Sequence, residues 1–524
     1  MINGKALKSL EYDKVLSEVA GYCSGECAAA AMRAFTPAED YDGATLLINL
    51  TCEADKILYE HCVSPDFGFS PITDCLEYAI KGSVLSVAQI KTVGMALRTA
   101  RLVRKAIDSI NDGEIKYITQ ICSELVTDSA LESNIADSIS GDNELSDNAS
   151  SELRRIRHAL KGANDAVRSK LNSYLSGEQS KYLQDNLITM RSGRYVLPVK
   201  AECRSAIQGL LHDRSASGAT LYIEPYAVVE LNNEVKALAA QENAEIERIL
   251  MFFTSEIASK SLIIEQACNI VTRLDCIFAR AKYARATRAV KPIINNNGYI
   301  KIIKGRHPLL DKDKVVPVSL ELGSEYSVMI ISGPNTGGKP VTLKMCGLFT
   351  LMASSGLFVP CLEGSELSYF DAVYCDIGDA QSIERNLSTF SSHMLNISQI
   401  LTCADRKSLV LLDEVGAGTD PQEGGALAVA CIEYLFNKGC RCIATSHYDE
   451  LKVYSAQTQG ICNASMDFEP STYLPTYRLI TGIAGASNAL ETAANLGLPD
   501  SVIRRAYGMI SPDKIKINAL VKSA

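Results

Sequence analysis

The chain has 524 residues, a net charge of −9, 47% apolar and 22% charged residues, and lacks the run of about 18 uninterrupted apolar residues that a membrane-spanning helix needs. The length exceeds one ordinary core, so several domains are expected, and the composition is that of a soluble globular protein. Whole-molecule attraction to nucleic acid is excluded by the negative charge, which leaves local basic patches as the route to such a partner. The 17 cysteines are scattered, many in apolar company such as Cys346, Cys431 and Cys442. Without a Cys-x-x-Cys pattern they read as buried reduced thiols. Met1 to Lys8 lack an apolar signal core, so a cytoplasmic protein is expected.

Residues 1–185 read as helical. Leu7, Leu10, Val15, Leu16 and Val19 fit one buried helix face. Ser86 caps a helix from Val87 to Ile107, and Gln89 completes a capping box. After a break at Gly141-Asp142-Asn143, a long helix runs from Ser150 to Tyr174. Its apolar stripe is Leu153, Ile156, Leu160, Val167 and Leu171, and its opposite face is basic. Between 186 and 224 the period changes to that of strands, with turns at Ser192-Gly193 and Ser215–Gly218. Arg191, Arg194, Lys200, Arg204 and Arg214 make this segment locally basic and are its candidate nucleic-acid contacts. Residues 225–291 return to long helices, with Val228, Leu231, Val235 and Leu238 as a seam and Asn232-Asn233 interrupting it. An antiparallel helical arm with a β tip is expected; a helical bundle with an inserted hairpin is the alternative. A polar boundary at Lys291–Gly298 opens the last domain, 292–510. There Val328–Ile331, Ala372–Tyr374, Leu409–Leu412 and Cys442–Thr445 alternate with helices, which predicts a mostly parallel α/β sheet with ligands at its strand C-terminal ends. Residues 511–524 form a short tail.

The chemistry concentrates after two of these strands. Val328–Ile331 leads into Ser332-Gly333-Pro334-Asn335-Thr336-Gly337-Gly338-Lys339-Pro340, then Val341 and a helix. Strand, glycine-rich loop and helix in this order form a P-loop, whose backbone N–H groups converge on phosphate oxygens of ATP. Lys339 is expected to reach the β- and γ-phosphates. Pro340 stands where the pattern has Ser or Thr, so the hydroxyl ligand to Mg²⁺ is missing. Its fixed φ suits a helix start, and water can fill the vacant metal position. Thr342 lies roughly 200° further around the helix and is a poor substitute. The second strand, Leu409–Leu412, ends in Asp413, expected to hold Mg²⁺, and Glu414, expected to orient the attacking water. His447 follows a further strand as a candidate for the γ-phosphate, and Gln381 is a candidate metal sensor.

These stretches, with Ser388–Met394, Leu411–Gly424 and Ala444–Tyr448, resemble the MutS ATPases. Gly418-Thr419-Asp420-Pro421-Gln422-Glu423-Gly424, Gly193–Lys200, His212–Thr220 and Ile223-Glu224-Pro225 resemble their second bacterial branch, MutS-two. The resemblance runs from about Leu10 to Ala506. It implies an α/β ABC-type P-loop ATPase preceded by a mostly α-helical core and lever with a small β-rich clamp tip. It further implies a homodimer in which Ser388 reaches the nucleotide held by the partner's Lys339, and Gly305–Pro308 near the adenine. The implied partners are branched or mismatched DNA, or stalled and collided ribosomes. Relatives of this kind continue into a basic linker and a C-terminal Smr domain; the chain ends at Ala524, so nuclease activity is not expected. Pro340 implies retained binding with slow hydrolysis, and a nucleotide-gated scaffold with feeble hydrolysis is the alternative. A transporter ATPase is disfavoured by Ser388-Thr389-Phe390 in place of Ser-Gly-Gly.

Overall fold

The computed structural model describes residues 4–141, 143–333, 337–378, 389–469, 475–483, 493–494 and 497–509. The chain divides into two compact units. One comprises Phe69–Lys105 and Leu125–Val271; the other comprises Met1–Gly68, Ala106–Glu124 and Thr272–Ala524. Residues 1–185 contribute to both units. Amphipathic stripes announce helices but not the partner each stripe will meet.

In the first unit, the helix Ser151–Ser176 buries Leu153, Ile156, Ala163, Val167 and Leu171. Its N-cap is Ser150, whose side chain accepts from the Leu153 N–H. The helix Tyr226–Ser259 lies against it, burying Val228, Val235, Ile249 and Phe253. Ser150 bonds Glu245 and Arg157 bonds Glu242, so the two helices run antiparallel. Between them the chain forms a sheet of β1 (Thr189–Arg191), β2 (Arg194–Lys200), β3 (Gly209–Arg214) and β4 (Thr220–Pro225), in the order β1-β2-β4-β3, all antiparallel. Ser192 and Gly193, with φ of 53° and 75°, make the two-residue turn that suits strand twist. The sheet shares a core with the helix ends through Val167, Leu171, Leu197, Ile223, Val228 and Val235. The Ser86–Gln89 capping box forms as read, with Gln89 Oε1 accepting from Ser86 N at 2.9 Å and Ser86 Oγ from Gln89 N at 3.3 Å. The helical stretch from 225 to 291 consists of two helices, Tyr226–Ser259 and Ser261–Thr287, separated at Lys260.

The second unit is built on two sheets. The smaller contains β5 (Ile293–Asn295), β6 (Ile300–Gly305), β7 (Val318–Leu322) and β9 (Glu366–Ser368), in the order β5-β9-β6-β7. The larger contains β8 (Val328–Ser332), β10 (Ala372–Asp376), β11 (Ser408–Leu412), β12 (Arg441–Thr445), β13 (Ile461–Phe468) and β14 (Pro475–Thr481). Its order is β10-β11-β12-β8-β13-β14, parallel except for the edge strand β14. Alternate residues of the same strand face two separate cores. Met329, Ile331, Leu409, Leu411 and Ile443 pack with Leu343, Cys346 and Phe349 of the helix Lys339–Ser354. Val328, Ile330, Val410, Leu412 and Ala444 pack with Ile397, Ile400, Ala428, Ile432 and Leu435. Burial on both faces is why these strands read as unbroken apolar runs. Leu10, Tyr12, Val15, Leu16 and Val19 join the first of these cores. They belong to a chain bent between Gly4–Ser9 and Tyr12–Ala20, where Glu11 has φ of 58°, rather than to one continuous helix. The 17 cysteines all lie among the described residues and form no disulfide there, with Cys346, Cys431 and Cys442 buried.

Candidate functional site

β8 ends at Ser332 and the chain turns at Gly333 with φ of 112°. It enters the helix Lys339–Ser354 through Gly338, which caps it with φ of 94°. Both values lie where only glycine sits without strain. A Cβ on Gly338 would also stand 3.1 Å from the Tyr477 ring. Pro334, Asn335 and Thr336 lie outside the described residues; Gly337 is buried. Lys339 opens the helix and is only 1% exposed. Burial lowers its pKa, against the opposing pull of Glu414 and Asp413. Pro340 is in the first turn, where a missing N–H costs no intrahelical bond. Thr342 is 1% exposed and its hydroxyl donates to Gly338 O at 3.2 Å. That hydroxyl is used within the helix.

β11 delivers Asp413 and Glu414 to the same strand ends. Asp413 N–H donates to Asp376 O at 2.8 Å, extending the β10–β11 ladder by one bond. Thr445, at the end of β12, donates from Oγ1 to Asp413 Oδ1 at 2.5 Å and accepts from Glu414 N at 2.9 Å. Burial raises the Asp413 pKa, and Glu414 and Asp376 push the same way against Thr445 and Lys339. Glu414 has φ of 49°, a left-handed backbone costing a non-glycine residue about 1–3 kcal/mol and found disproportionately at functional sites. Two carboxylates, Asp413 and Glu414, act on Lys339; no group of three candidate metal ligands forms among the described residues, and Mg²⁺ commonly takes one or two carboxylates while keeping several waters.

The Gly-rich stretch after Glu414 has packing reasons. A Cβ on Gly416 would stand 2.3 Å from Gly424 O, and one on Gly424 would meet the Tyr448 hydroxyl at 2.6 Å. Tyr448 OH donates to Gly416 O at 2.8 Å. Asp420 caps the helix Pro421–Asn437, accepting from the N–H groups of Gln422 and Glu423. His447 is exposed and stacks on Tyr448, ring centroids 4.5 Å apart. Gln381 and Ser388 fall outside the described residues. Thr445, Asp376, His393 and Tyr448 had no assigned role in the sequence reading. Their roles arise from neighbouring strand ends; the Ala444–Tyr448 run holds Thr445 and Tyr448, the Ser388–Met394 motif holds His393, and Asp376 carries no signal of its own.

Beside the loop helix lies a cleft of about 630 Å³, lined by Pro340, Val341, Lys344, His307, Leu309 and Glu11 among others. Glu11 pairs with Lys14 at 2.6 Å and with Lys344 at 3.5 Å. His307 is 5% exposed, its Nδ1 has no hydrogen-bond partner among the described residues, and burial lowers its pKa to about 4.

The basic residues of the small sheet differ in how far they are committed. Arg194 donates to Glu224 at 2.7 Å and also to Asn233. Glu224 is 0% exposed and further accepts from Asn232 at 2.8 Å, with His212 Nε2 at 2.5 Å from its other oxygen. Asn232 also brackets Tyr195, accepting from its N–H and donating to its carbonyl. The Asn232-Asn233 interruption is thus the seat of the tip. Arg191 pairs with Asp213 at 3.3 Å and lies over the Tyr222 ring. Lys200 donates to Lys181 O at 3.2 Å. Arg204 and Arg214 are exposed.

The family profile described as MutS domain V matches residues 329–512, the stretch from β8 through Asp413, Glu414 and His447. Similarity to curated relatives extends over the whole chain. It is 44% identical over 523 residues to Endonuclease MutS2 of Clostridium acetobutylicum, covering 100% of this chain and 66% of that protein. To Endonuclease MutS2 of Clostridium botulinum it is 45% identical over 520 residues, 99% of this chain and 66% of the relative. To that of Geobacillus thermodenitrificans it is 43% identical over 522 residues, 99% and 67% respectively. The chain spans about two thirds of the length of these relatives. With 43–45% identity sustained over essentially its whole length, the chain belongs to the MutS2 branch of the MutS family.

Proposed function

We propose that the chain is a nucleic-acid-binding ATPase whose larger sheet forms an ABC-type P-loop domain and which works as a homodimer. The observation carrying this reading is the meeting of a buried Lys339 with Asp413 and the strained Glu414 at one set of parallel strand ends. The loop from Gly333 to Val341 receives the phosphates, and Lys339 neutralises charge on the β- and γ-oxygens. Pro340 and Val341 border the cleft containing His307, which suits the nucleoside end. Glu414, its N–H pinned by Thr445, orients the attacking water. Asp413 would hold Mg²⁺, which when bound neutralises phosphate charge. Gln381 serves as metal sensor, His447 assists at the γ-phosphate, and Ser388 completes the site bound by the partner's Lys339.

The antiparallel helices act as a lever and the four-stranded tip as a clamp. Arg204, Arg214 and Lys200 carry the main contacts, with Arg191 and Arg194 ordering the tip beneath them. Branched or mismatched DNA is the partner proposed first, and a stalled or collided ribosome the second. Pro340 supports slow hydrolysis, because the loop keeps its helix start while losing a metal ligand. At the limit this becomes a nucleotide-gated module with feeble turnover.

Steady-state ATP turnover of the wild-type chain, Pro340→Thr and Glu414→Gln tests the reading. Turnover is expected to rise in P340T and to fall by about 10²-fold or more in E414Q. Equal rates in all three proteins would sink the hydrolytic assignment.

A further inference from the structure

The motif Ser388–Met394 enters the proposed mechanism only through its serine. A second residue of that motif makes a hydrogen bond of its own. The helix Thr389–Cys403 packs into the core through Ile397 and Ile400. Near its start it presents two polar side chains, one turn apart, to the end of β10. His393 Nδ1 lies 2.7 Å from Asp376 Oδ2, and Asn396 Nδ2 donates to Asp376 Oδ1 at 2.7 Å and to Cys375 O at 3.1 Å. Asp376 is 7% exposed, so its carboxylate exchanges most of its water for these two partners.

Asp376 is also the residue whose carbonyl receives the Asp413 N–H at 2.8 Å. From the helix, an unbroken path of hydrogen bonds runs through Asp376 to Asp413, from Asp413 to Thr445, and from Thr445 to the Glu414 N–H. The β10–β11 ladder sets the register, with Asp376 opposite Leu412, and apolar packing holds the helix on the sheet. The buried carboxylate with two directional partners ties the start of that helix to the last rung of the ladder. The Asp376 side chain raises the His393 pKa, as an imidazole donating to a carboxylate requires.

We propose that His393, acting through Asp376, is a positioning residue for ATP hydrolysis: it sets the strand end from which Asp413 and Glu414 are presented. Its role is exerted through the Asp376 carboxylate, 2.7 Å from its Nδ1. The proposal rests on the hydrolytic reading for its consequence, and on the hydrogen-bond path for its geometry. Without the His393–Asp376 bond the end of β10 keeps its ladder and Asn396 but loses one of the two partners of its carboxylate, and a shift of about 1 Å at a reacting group costs up to roughly 10²-fold in rate.

The test compares the wild-type chain with His393→Ala, His393→Gln and Asp376→Asn, with Glu414→Gln as reference. H393A is expected to lower kcat by about 10–100-fold while the KM for ATP stays within about twofold. H393Q, whose amide can still donate to Asp376, is expected to recover most of the rate. Amide hydrogen exchange over residues 409–416 is expected to speed up in H393A and D376N and to return towards wild type in H393Q. Unchanged kcat in H393A, equal losses in kcat and affinity, or unaltered exchange over 409–416 would each overturn the proposal. If the wild-type chain hydrolyses no ATP, the functional reading falls, and the exchange measurement alone decides whether His393 sets the strand end.

Discussion

In the tip, Glu224 is fully buried with both oxygens occupied, by Arg194 and Asn232 on one and by His212 on the other. At the ends of β8, β10 and β11, Lys339 is just as buried, yet Asp376, Asp413 and Glu414 crowd like charge around the site. The tip closes its charges on one another and gains a fixed shape. The strand ends keep theirs in tension: burial pulls Lys339 down and Asp413 up. A glutamate held at positive φ adds backbone strain there. Charge that is buried and satisfied marks construction, whereas charge that is buried and opposed marks a place prepared for a ligand.

The contrast breaks most visibly at Glu224. Removing it in Glu224→Ala strands Arg194 and His212 beside a buried gap, at a cost of about 3–5 kcal/mol. Thermal unfolding and proteolysis within 186–225 are expected to show the loss, with ATP binding retained. A tip that stays protease-resistant would mean that the cluster does not hold the small sheet. A smaller effect is expected from the exposed cations. Charge reversal of Arg204 and Arg214 leaves the Glu224 cluster intact and removes only outward charge. The slope of log K against log salt for nucleic acid is expected to flatten by about 0.7–0.9 for each phosphate that is no longer neutralised. An unchanged slope would place the nucleic acid elsewhere. Reversal of Arg194 would confound that measurement, since it also breaks the buried pair.

The smallest effect concerns His307, in the cleft beside Pro340. Its folded pKa is about 4 against an ordinary 6.5. Above pH 6.5 neither folded nor unfolded chain is protonated there, and its contribution to stability is complete. As pH falls from 6.5 towards 4, the unfolded chain takes up a proton that the folded chain refuses. Stability then drops by up to about 1.4 kcal/mol per pH unit. His307→Gln is expected to flatten the decline of Tm between pH 7 and 5; parallel curves for the two proteins would contradict it.

Much of the larger sheet was legible because its strands are buried on both faces and so appear as apolar runs. The glycine-rich loop and Asp413-Glu414 stood out for the same reason: polar residues abruptly ending such runs. The capping box at Ser86 is local, and local chemistry reads well. What stayed hidden depended on distant pairing. β5 and β9 are three residues each and pair across about 70 positions of sequence, so neither carries a pattern of its own. Arg194 looked like a surface cation on a strand. Only the fold brings it to Glu224, thirty positions away. Lys260 breaks a helical pattern without proline or glycine, and Glu11 bends the N-terminal helices in the same way, so nothing in composition announced either. Asp376 and His393 are ordinary residues until β10 is laid beside β11.

The central claim is that the loop ending in Lys339 is a phosphate site in which the ligand gives the buried ammonium an anionic partner. Isothermal titration of ATP, with Mg²⁺, into the wild-type chain and Lys339→Ala tests it most directly. Saturable binding by the wild-type chain, weakened about 10²-fold or more in K339A, is expected from loss of a buried charge-assisted hydrogen bond. Equal affinity in the two proteins, or none in the wild-type chain, would contradict it.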